Sequence, residues 1–61
     1  MFNEVGSVAV EDSVVHVGTD TDKPGQVAVV LNHGWIKFSS YPTPTEALKM
    51  AELLTKVATA Q

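Results

Sequence analysis

The sequence contains no cysteine, no arginine and no long apolar run, and each absence argues against a class of protein. Without cysteine, neither disulfide bonds nor thiolate metal ligands can support the fold. Without arginine, the only cationic side chains are four lysines in a chain of net charge −3, which argues against a nucleic-acid partner. A membrane-spanning helix needs about 18 or more consecutive apolar residues, and the N-terminal residues also lack the pattern of a signal peptide. We therefore expect a cytoplasmic protein with no nucleic-acid and no membrane partner.

Groups that could hold a metal or a cofactor are also few. His16 and His33 are the only histidines, and nothing around them supplies further ligands at zinc-like spacing. Asp20 and Asp22 alternate as calcium ligands do, but the later glycine and the bidentate glutamate of an EF-hand loop are missing. The four glycines are dispersed and form no phosphate-binding loop. We expect no metal and no cofactor.

The length of 61 residues allows a single small domain, residues 1–61, with one hydrophobic core. Domains of this size usually add disulfides, a metal or association with another chain to a core that stabilises them only weakly. Since the first two supplements are discounted above, we expect the chain to form a homo-oligomer.

Valine is frequent between residues 5 and 38, where turn residues interrupt it at short intervals, a pattern typical of successive strands. It predicts four strands, at about residues 5–11, 14–18, 26–32 and 35–39. Asp12-Ser13 and His33-Gly34 are the expected tight turns of two hairpins, and a polar loop joins the two central strands. The predicted cross-strand pairs are Val10 with Val15, Val17 with Val27, and Leu31 with Ile36.

This register places only apolar side chains on one face of the sheet, because side chains alternate between the two faces. We call it the valine face; its members are Val8, Val10, Val15, Val17, Val27, Val29, Leu31, Ile36 and Phe38. A slip of one residue would exchange the faces and bring Lys37 into the core, which favours the chosen register.

A helix is predicted at about residues 44–60 by three signals at its start. Thr43 is the expected N-cap, Pro44 occupies the first helical position, and Glu46 completes a capping box. The apolar residues of this helix fall on one side: Ala47, Met50, Ala51, Leu53, Leu54, Val57 and Ala58. The predicted fold class is therefore α+β, an antiparallel four-stranded meander with the single C-terminal helix packed on the valine face.

The opposite face of the sheet is unusually apolar for a surface that no second helix covers; it presents Ala9, Glu11, Val14, His16, Ala28, Val30, Asn32, Trp35 and Lys37. Trp35 decides its interpretation, since tryptophan is enriched among residues that carry binding energy. The predicted protein-binding or dimer surface consists of Val14, His16, Val30, Asn32, Trp35 and Lys37. The alternative is that Trp35 packs flat on its own sheet or under the segment around Phe2.

No serine or threonine stands beside a recognisable base and orienting acid, so the sequence favours a protein that is not an enzyme. The leading hypothesis is a protein-binding module that forms a homodimer through the opposite face or through its edge strands and also binds another protein. The alternative is a small-molecule or metal-binding protein with a site around His16, Asn32 and Lys37, completed across a dimer interface.

Two resemblances concern the C-terminal half. A strand Trp35-Ile36-Lys37-Phe38-Ser39 followed by Thr45-Glu46-Ala47-Leu48 and Ala51-Glu52-Leu53-Leu54 resembles short uncharacterised proteins of actinobacteria and their phages, in which a valine-rich sheet runs into such a helix. That resemblance implies a phage-borne modulator of a host protein. Thr43, Glu46 and Ala47 also resemble the helix start of HicB-type antitoxins, although the Pro-Gly-Cys segment that precedes it in that family is missing here.

Overall fold

A computed structural model describes all 61 residues and contains four strands and one helix. In chain order these are β1 (Phe2–Val10), β2 (Ser13–Asp20), β3 (Ala28–His33), β4 (Ile36–Ser40) and α1 (Pro44–Thr59). The strands form one open antiparallel sheet in the order β1-β2-β3-β4. The predicted α+β fold, a four-stranded meander followed by a single C-terminal helix, is confirmed. No helix is long and apolar enough to cross a membrane.

The β3–β4 turn lies one residue later than predicted, at Gly34 and Trp35, so that His33 pairs with Ile36. Gly34 takes a positive φ of 60°, whereas the φ of Trp35 is not positive. A type II′ turn needs positive φ only at its first central residue, and a type I′ turn needs it at both. The glycine therefore begins the turn instead of ending it, and the predicted position is wrong.

The other two pairings also differ from the predicted register. The β1–β2 turn consists of Glu11 and Asp12, one residue earlier than predicted, and Glu11 adopts a φ of 54° in the absence of a glycine. The observed pairs are Val8 with Val15, Val17 with Val29, and Leu31 with Phe38. Each predicted pair was thus wrong by two residues. Because side chains alternate with a period of two, such a shift leaves the residues that stay within the strands on their predicted faces, whereas Glu11 and Trp35, predicted on the opposite face, lie in turns.

The helix does not cover the valine face, contrary to the expectation. None of its residues is buried, and the side chain of Leu54, expected to reach into the sheet, is 72% exposed. The smallest dimension of the molecule is only 16 Å. Since packed layers of secondary structure are about 10 Å apart, this thickness leaves little room for a helix over a sheet with its side chains.

Two prolines explain why the helix stays away from its own sheet. The connection from β4 to α1 contains Pro42, and Pro44 begins the helix. Tyr41 and Thr43 each precede a proline, which pushes their backbone into the extended region; Thr43 has φ −67° and ψ 162°. The backbone N–H of Val27 also donates to the carbonyl of Pro42 at 2.9 Å and anchors the connection to the β2–β3 loop. This short extended connection leads from β4 into a helix of which no residue is buried.

A β-bulge in β1 changes which side chains of this strand face each side of the sheet. Glu4 pairs with Gly18 and Gly6 pairs with Val17, so Val5 is the extra residue. Without the bulge, Glu4 would lie on the valine face; the extra residue moves it to the opposite face. The backbone of β1 comes very close to Gly18 there, since a Cβ atom on Gly18 would lie 2.0 Å from the carbonyl oxygen of Asn3.

We therefore predict that Gly18→Ala forces β1 away from β2 and lowers the free energy of unfolding by about 1–3 kcal/mol, as overpacking does. Gly6→Ala is the matched control, because a Cβ atom there meets nothing within 4 Å. Urea unfolding at one fixed protein concentration measures both variants. Equal stability of the two variants would show that β1 does not approach Gly18 so closely.

The start of the helix is confirmed in its details and gives a pH-dependent prediction. Glu46 accepts a hydrogen bond from the backbone N–H of Thr43 at 2.9 Å, and its own N–H donates to the Thr43 hydroxyl at 3.2 Å. The backbone N–H of Thr43, and after it the Thr43 hydroxyl, hold the pKa of Glu46 below its usual range. A lowered pKa means that the capping box stabilises the helix above the ordinary pKa and loses this effect as the pH falls through the lowered value.

We expect the amide proton of Thr43, followed by NMR, to titrate with a midpoint below the ordinary glutamate pKa of about 4.3. Glu46→Gln is the control, because a neutral amide still accepts the hydrogen bond but has no proton to gain in this range. A midpoint at or above the ordinary value, or a titration that persists in Glu46→Gln, would contradict the assignment.

Candidate functional site

The opposite face of the sheet carries a cleft that crosses all four strands and has a volume of about 260 Å³. Its lining combines two aromatic rings, an apolar floor and several polar side chains. The lining residues are Phe2, Glu4, His16, Asp20, Val30, Asn32, Lys37, Ser39 and Tyr41. The volume is just below the range of about 300–1,000 Å³ that is typical of drug-sized ligands.

The three buried residues of the chain, Gly18, Ala28 and Val30, all lie on this face. Gly18 and Ala28 are cross-strand partners at the centre of the sheet, and Val30 forms part of the floor of the cleft. Phe2 and Tyr41, at the two outer edges, are half-buried. The centre of the face thus carries little side-chain volume at Gly18 and Ala28, and the aromatic residues Phe2 and Tyr41 line the cleft at its outer edges.

The side chains of Glu4 and His16 are hydrogen-bonded at one side of the cleft. The Oε1 atom of Glu4 bonds the Nδ1 atom of His16, and both side chains are partly exposed. An ionised carboxylate only accepts hydrogen bonds, so Nδ1 carries the hydrogen, and Nε2 has no partner within the chain. The contact depends on the bulge, since only the bulge brings Glu4 to this face.

On the other side of the cleft, Lys37, Asn32 and Ser39 have no partner for their side chains. Lys37 and Asn32 are cross-strand neighbours on β4 and β3. No hydrogen bond or ion pair within the chain engages the Lys37 ammonium or the Asn32 amide. These groups are therefore free to bind a molecule that enters the cleft.

Tyr41 is held in place by contacts with the β2–β3 loop. The amide nitrogen of Gln26 donates to the Tyr41 carbonyl at 2.6 Å, and the Lys23 ammonium lies 5.4 Å from the centre of the Tyr41 ring. The second contact is a cation–π interaction. The long polar loop thus fixes one aromatic wall of the cleft.

Asp20 and Asp22, the fragment of a calcium loop, have other partners. Asp20 accepts the backbone N–H of Asp22 at 2.9 Å and the ammonium of Met1 at 3.0 Å. The Asp22 N–H, and after it the Met1 ammonium, lower the pKa of Asp20. No group of three or more His, Asp or Glu side chains in the structure is arranged to hold a metal ion.

The geometry provides no nucleophile for the Glu4–His16 pair. Ser39 lies two strands away from His16, about 10 Å between backbones at about 4.8 Å per strand, and no hydrogen bond joins the two side chains. Elsewhere the hydroxyl of Ser13 is 2.8 Å from Nδ1 of His33, but no carboxylate bonds that ring. Neither pair is a complete nucleophile, base and acid arrangement.

Of the predicted surface residues, four line the cleft together: His16, Val30, Asn32 and Lys37. Val14 lies beside them, paired with Asn32. Trp35 is separate, since it occupies the β3–β4 turn and is 93% exposed. The alternative in which Trp35 packs on its own sheet or under the segment around Phe2 is therefore wrong.

Sequence reasoning missed five members of the site: Phe2, Glu4, Asp20, Ser39 and Tyr41. The first two were missed because β1 begins earlier than predicted and contains the bulge. A glycine that interrupts a valine-rich strand, here Gly6, is a known sign of a bulge and could have revealed them.

A second surface of interest is apolar and uncovered. Much of the valine face is exposed, including Phe38 at 61%. On the helix, an apolar strip that we call the helix stripe is open to solvent as well; it consists of Met50, Leu53, Leu54 and Val57. The single chain therefore leaves both of its main apolar surfaces without a partner.

Comparisons with protein-family models, with curated proteins and with solved structures found no match to this chain. The resemblances to actinobacterial and phage proteins and to HicB-type antitoxins stay predictions.

Proposed function

We propose that this protein is a cytoplasmic, non-enzymatic protein-binding module that works as a homodimer. The observation that carries the proposal is that the valine face and the helix stripe are both uncovered in the single chain. Large contiguous apolar patches are rare on monomers and mark interaction surfaces. In the proposed dimer, the helix stripe of each protomer lies on the valine face of its partner.

The surface area supports an interface of ordinary size. The chain exposes 4838 Å², whereas a compact monomer of its mass exposes about 3,800 Å². Its radius of gyration is 12.4 Å, against about 10.5 Å for a compact chain of this length. The excess area of about 1,000 Å² is close to the roughly 800 Å² that each partner buries in a standard protein–protein interface.

The two surfaces favour a second copy of the chain as the occupant. A sheet face and an amphipathic helix are complementary in shape, and both are apolar here. If two chains exchange their helices about a two-fold axis, all four apolar surfaces of the pair are covered. Within one chain, the short connection of residues 41–43 leads to a helix of which no residue is buried. Short hinges of this kind favour domain swapping. The valine face and the helix stripe contain no Lys, Asp or Glu, so their association buries no such charge.

The turn that carries Trp35 stays exposed in this dimer and is the proposed contact for another protein. Trp35 is 93% exposed. An exposed tryptophan at the tip of a hairpin supplies a large apolar contact area with few rotatable bonds.

We expect sedimentation equilibrium to show a dimer at micromolar concentration and a monomer for Phe38→Asp, because the aspartate is buried against an apolar helix without a partner. Trp35→Asp is the matched control: it also replaces an exposed aromatic residue, but outside the proposed interface, so it should remain a dimer. A monomeric wild-type chain, or loss of the dimer in Trp35→Asp alone, would overturn the proposal.

A second experiment does not depend on whether the Phe38→Asp monomer folds. The chain has no cysteine, so Phe38→Cys and Leu54→Cys can be mixed as two single variants and oxidised. Helix exchange predicts disulfide-linked heterodimers of the two variants in preference to Phe38→Cys homodimers. Preferential Phe38→Cys homodimers would instead indicate direct contact between two sheets. The single tryptophan provides a control, since its fluorescence should stay quenchable by iodide in the dimer.

A further inference from the structure

The cleft on the opposite face remains open in the proposed dimer, and its lining points to a ligand. We propose that the cleft binds a neutral, polyhydroxylated ring such as a monosaccharide. This inference does not rest on the dimer, because the valine face and the cleft lie on different sides of the sheet.

Val30 lies in the floor of the cleft, and polar side chains surround it on the sheet. It pairs with His16 on β2 and with Ser39 on β4. Two residues further along the strands, Asn32 and Lys37 form the next pair on the same face. Neighbouring backbones are about 4.8 Å apart across the sheet, and residues on one face repeat about every 6.7 Å along a strand. A ligand that fits this arrangement has an apolar face for Val30 and polar groups around its rim.

The polar groups around Val30 include hydrogen-bond donors as well as acceptors. The Lys37 ammonium only donates, and an ionised carboxylate such as that of Glu4 only accepts. The Asn32 amide and the Ser39 hydroxyl do both. No hydrogen bond or ion pair within the chain engages the side chains of Lys37, Asn32 and Ser39. A hydroxyl group donates and also accepts, so it can pair with every one of these groups.

The charges at the cleft favour a neutral ligand. Glu4 and Asp20 contribute two carboxylates to the lining, and Lys37 contributes one ammonium group. The Met1 ammonium adds a second positive charge beside the lining, because it pairs with Asp20 at 3.0 Å. With histidine counted as neutral, these four charges balance. An anion therefore meets the carboxylates and a cation meets the ammonium groups, whereas a neutral ligand meets no repulsion.

The size of the cleft and its aromatic residues fit a single sugar ring. Phe2 and Tyr41 line the cleft at its outer edges. The faces of a sugar ring carry C–H groups, which pack against aromatic rings, where negative charge is concentrated on the ring faces. The volume of about 260 Å³ limits the ligand to one small ring. Six of the nine lining residues are polar, so a ring with many hydroxyl groups satisfies more of them than a flat aromatic ligand does.

Three neutral hexoses that differ in the orientation of single hydroxyl groups, glucose, galactose and mannose, are suitable probes for NMR of the full chain at neutral pH. We expect at least one of them to shift the methyl signals of Val30 and the side-chain amide of Asn32, with saturation and a dissociation constant of about 1–10 mM. Tetrahydropyran, the same ring without hydroxyl groups, should bind about tenfold more weakly or worse. The uronic acid and the amino sugar of the binding hexose should bind no more tightly than the hexose itself.

Ser39→Ala should raise the dissociation constant of the binding hexose by about threefold, and Asn32→Leu by about tenfold, because each removes hydrogen bonds to the rim of the ring. Ser40→Ala is the matched control for Ser39→Ala. Ser40 is the next residue of β4 and pairs with Val29, so it lies on the valine face, and its replacement should leave the constant unchanged.

Four results would overturn the inference. They are the absence of saturation by all three hexoses, equal binding of tetrahydropyran, binding of either charged analogue that is tighter by about tenfold, and an unchanged constant in both Ser39→Ala and Asn32→Leu. Shifts confined to the methyl groups of the valine face would count as the first of them. None of these results depends on whether the chain forms the proposed dimer.

Discussion

The short connection between β4 and the helix is the constraint on which the rest of the structure depends. Pro42 and Pro44 hold the preceding residues extended, and the hydrogen bond from Val27 to the Pro42 carbonyl fixes the connection to the sheet. The helix consequently projects from the sheet, and the valine face stays open. In the proposed dimer, the apolar core that a single chain does not form lies between two chains.

The pattern of the sequence predicted which face each central residue occupies, but not which residue it opposes. Side-chain alternation has a period of two, so a register that is wrong by two residues places Val17 and Leu31 on the same faces as the correct one. The exact pairing depends on turn geometry, and the turn at Gly34 was misplaced because one glycine serves two turn types at different positions. The face that a residue occupies follows from the alternating pattern along the whole strand, whereas the register depends on a few backbone angles in the turns.

For the candidate site, too, the sequence predicted the face of each residue in the central strands but not the local backbone irregularities. His16, Asn32 and Lys37 were predicted to lie together. They line one cleft because they lie on paired strands and, as expected, on the same face of the sheet. Simple alternation could not place Glu4 with them, because the bulge at Val5 exchanges the faces that the residues in the first part of β1 occupy. The helix start was predictable in detail because a capping box involves only residues close in sequence. The position of the helix depends on a connection whose stiffness the apolar pattern does not reveal.

The buried residues of the sheet do not lie on its more apolar face. In a typical sheet with one covered face, the more apolar face is the buried one. Here Gly18, Ala28 and Val30 are buried on the mixed face, while the valine face stays exposed. A single chain thus forms the walls of the cleft by itself, whereas its main apolar surfaces stay exposed. The stability of the proposed dimer would depend on protein concentration. The geometry of the cleft depends instead on local features within one chain, chiefly the bulge in β1 and the small residues at the centre of the sheet.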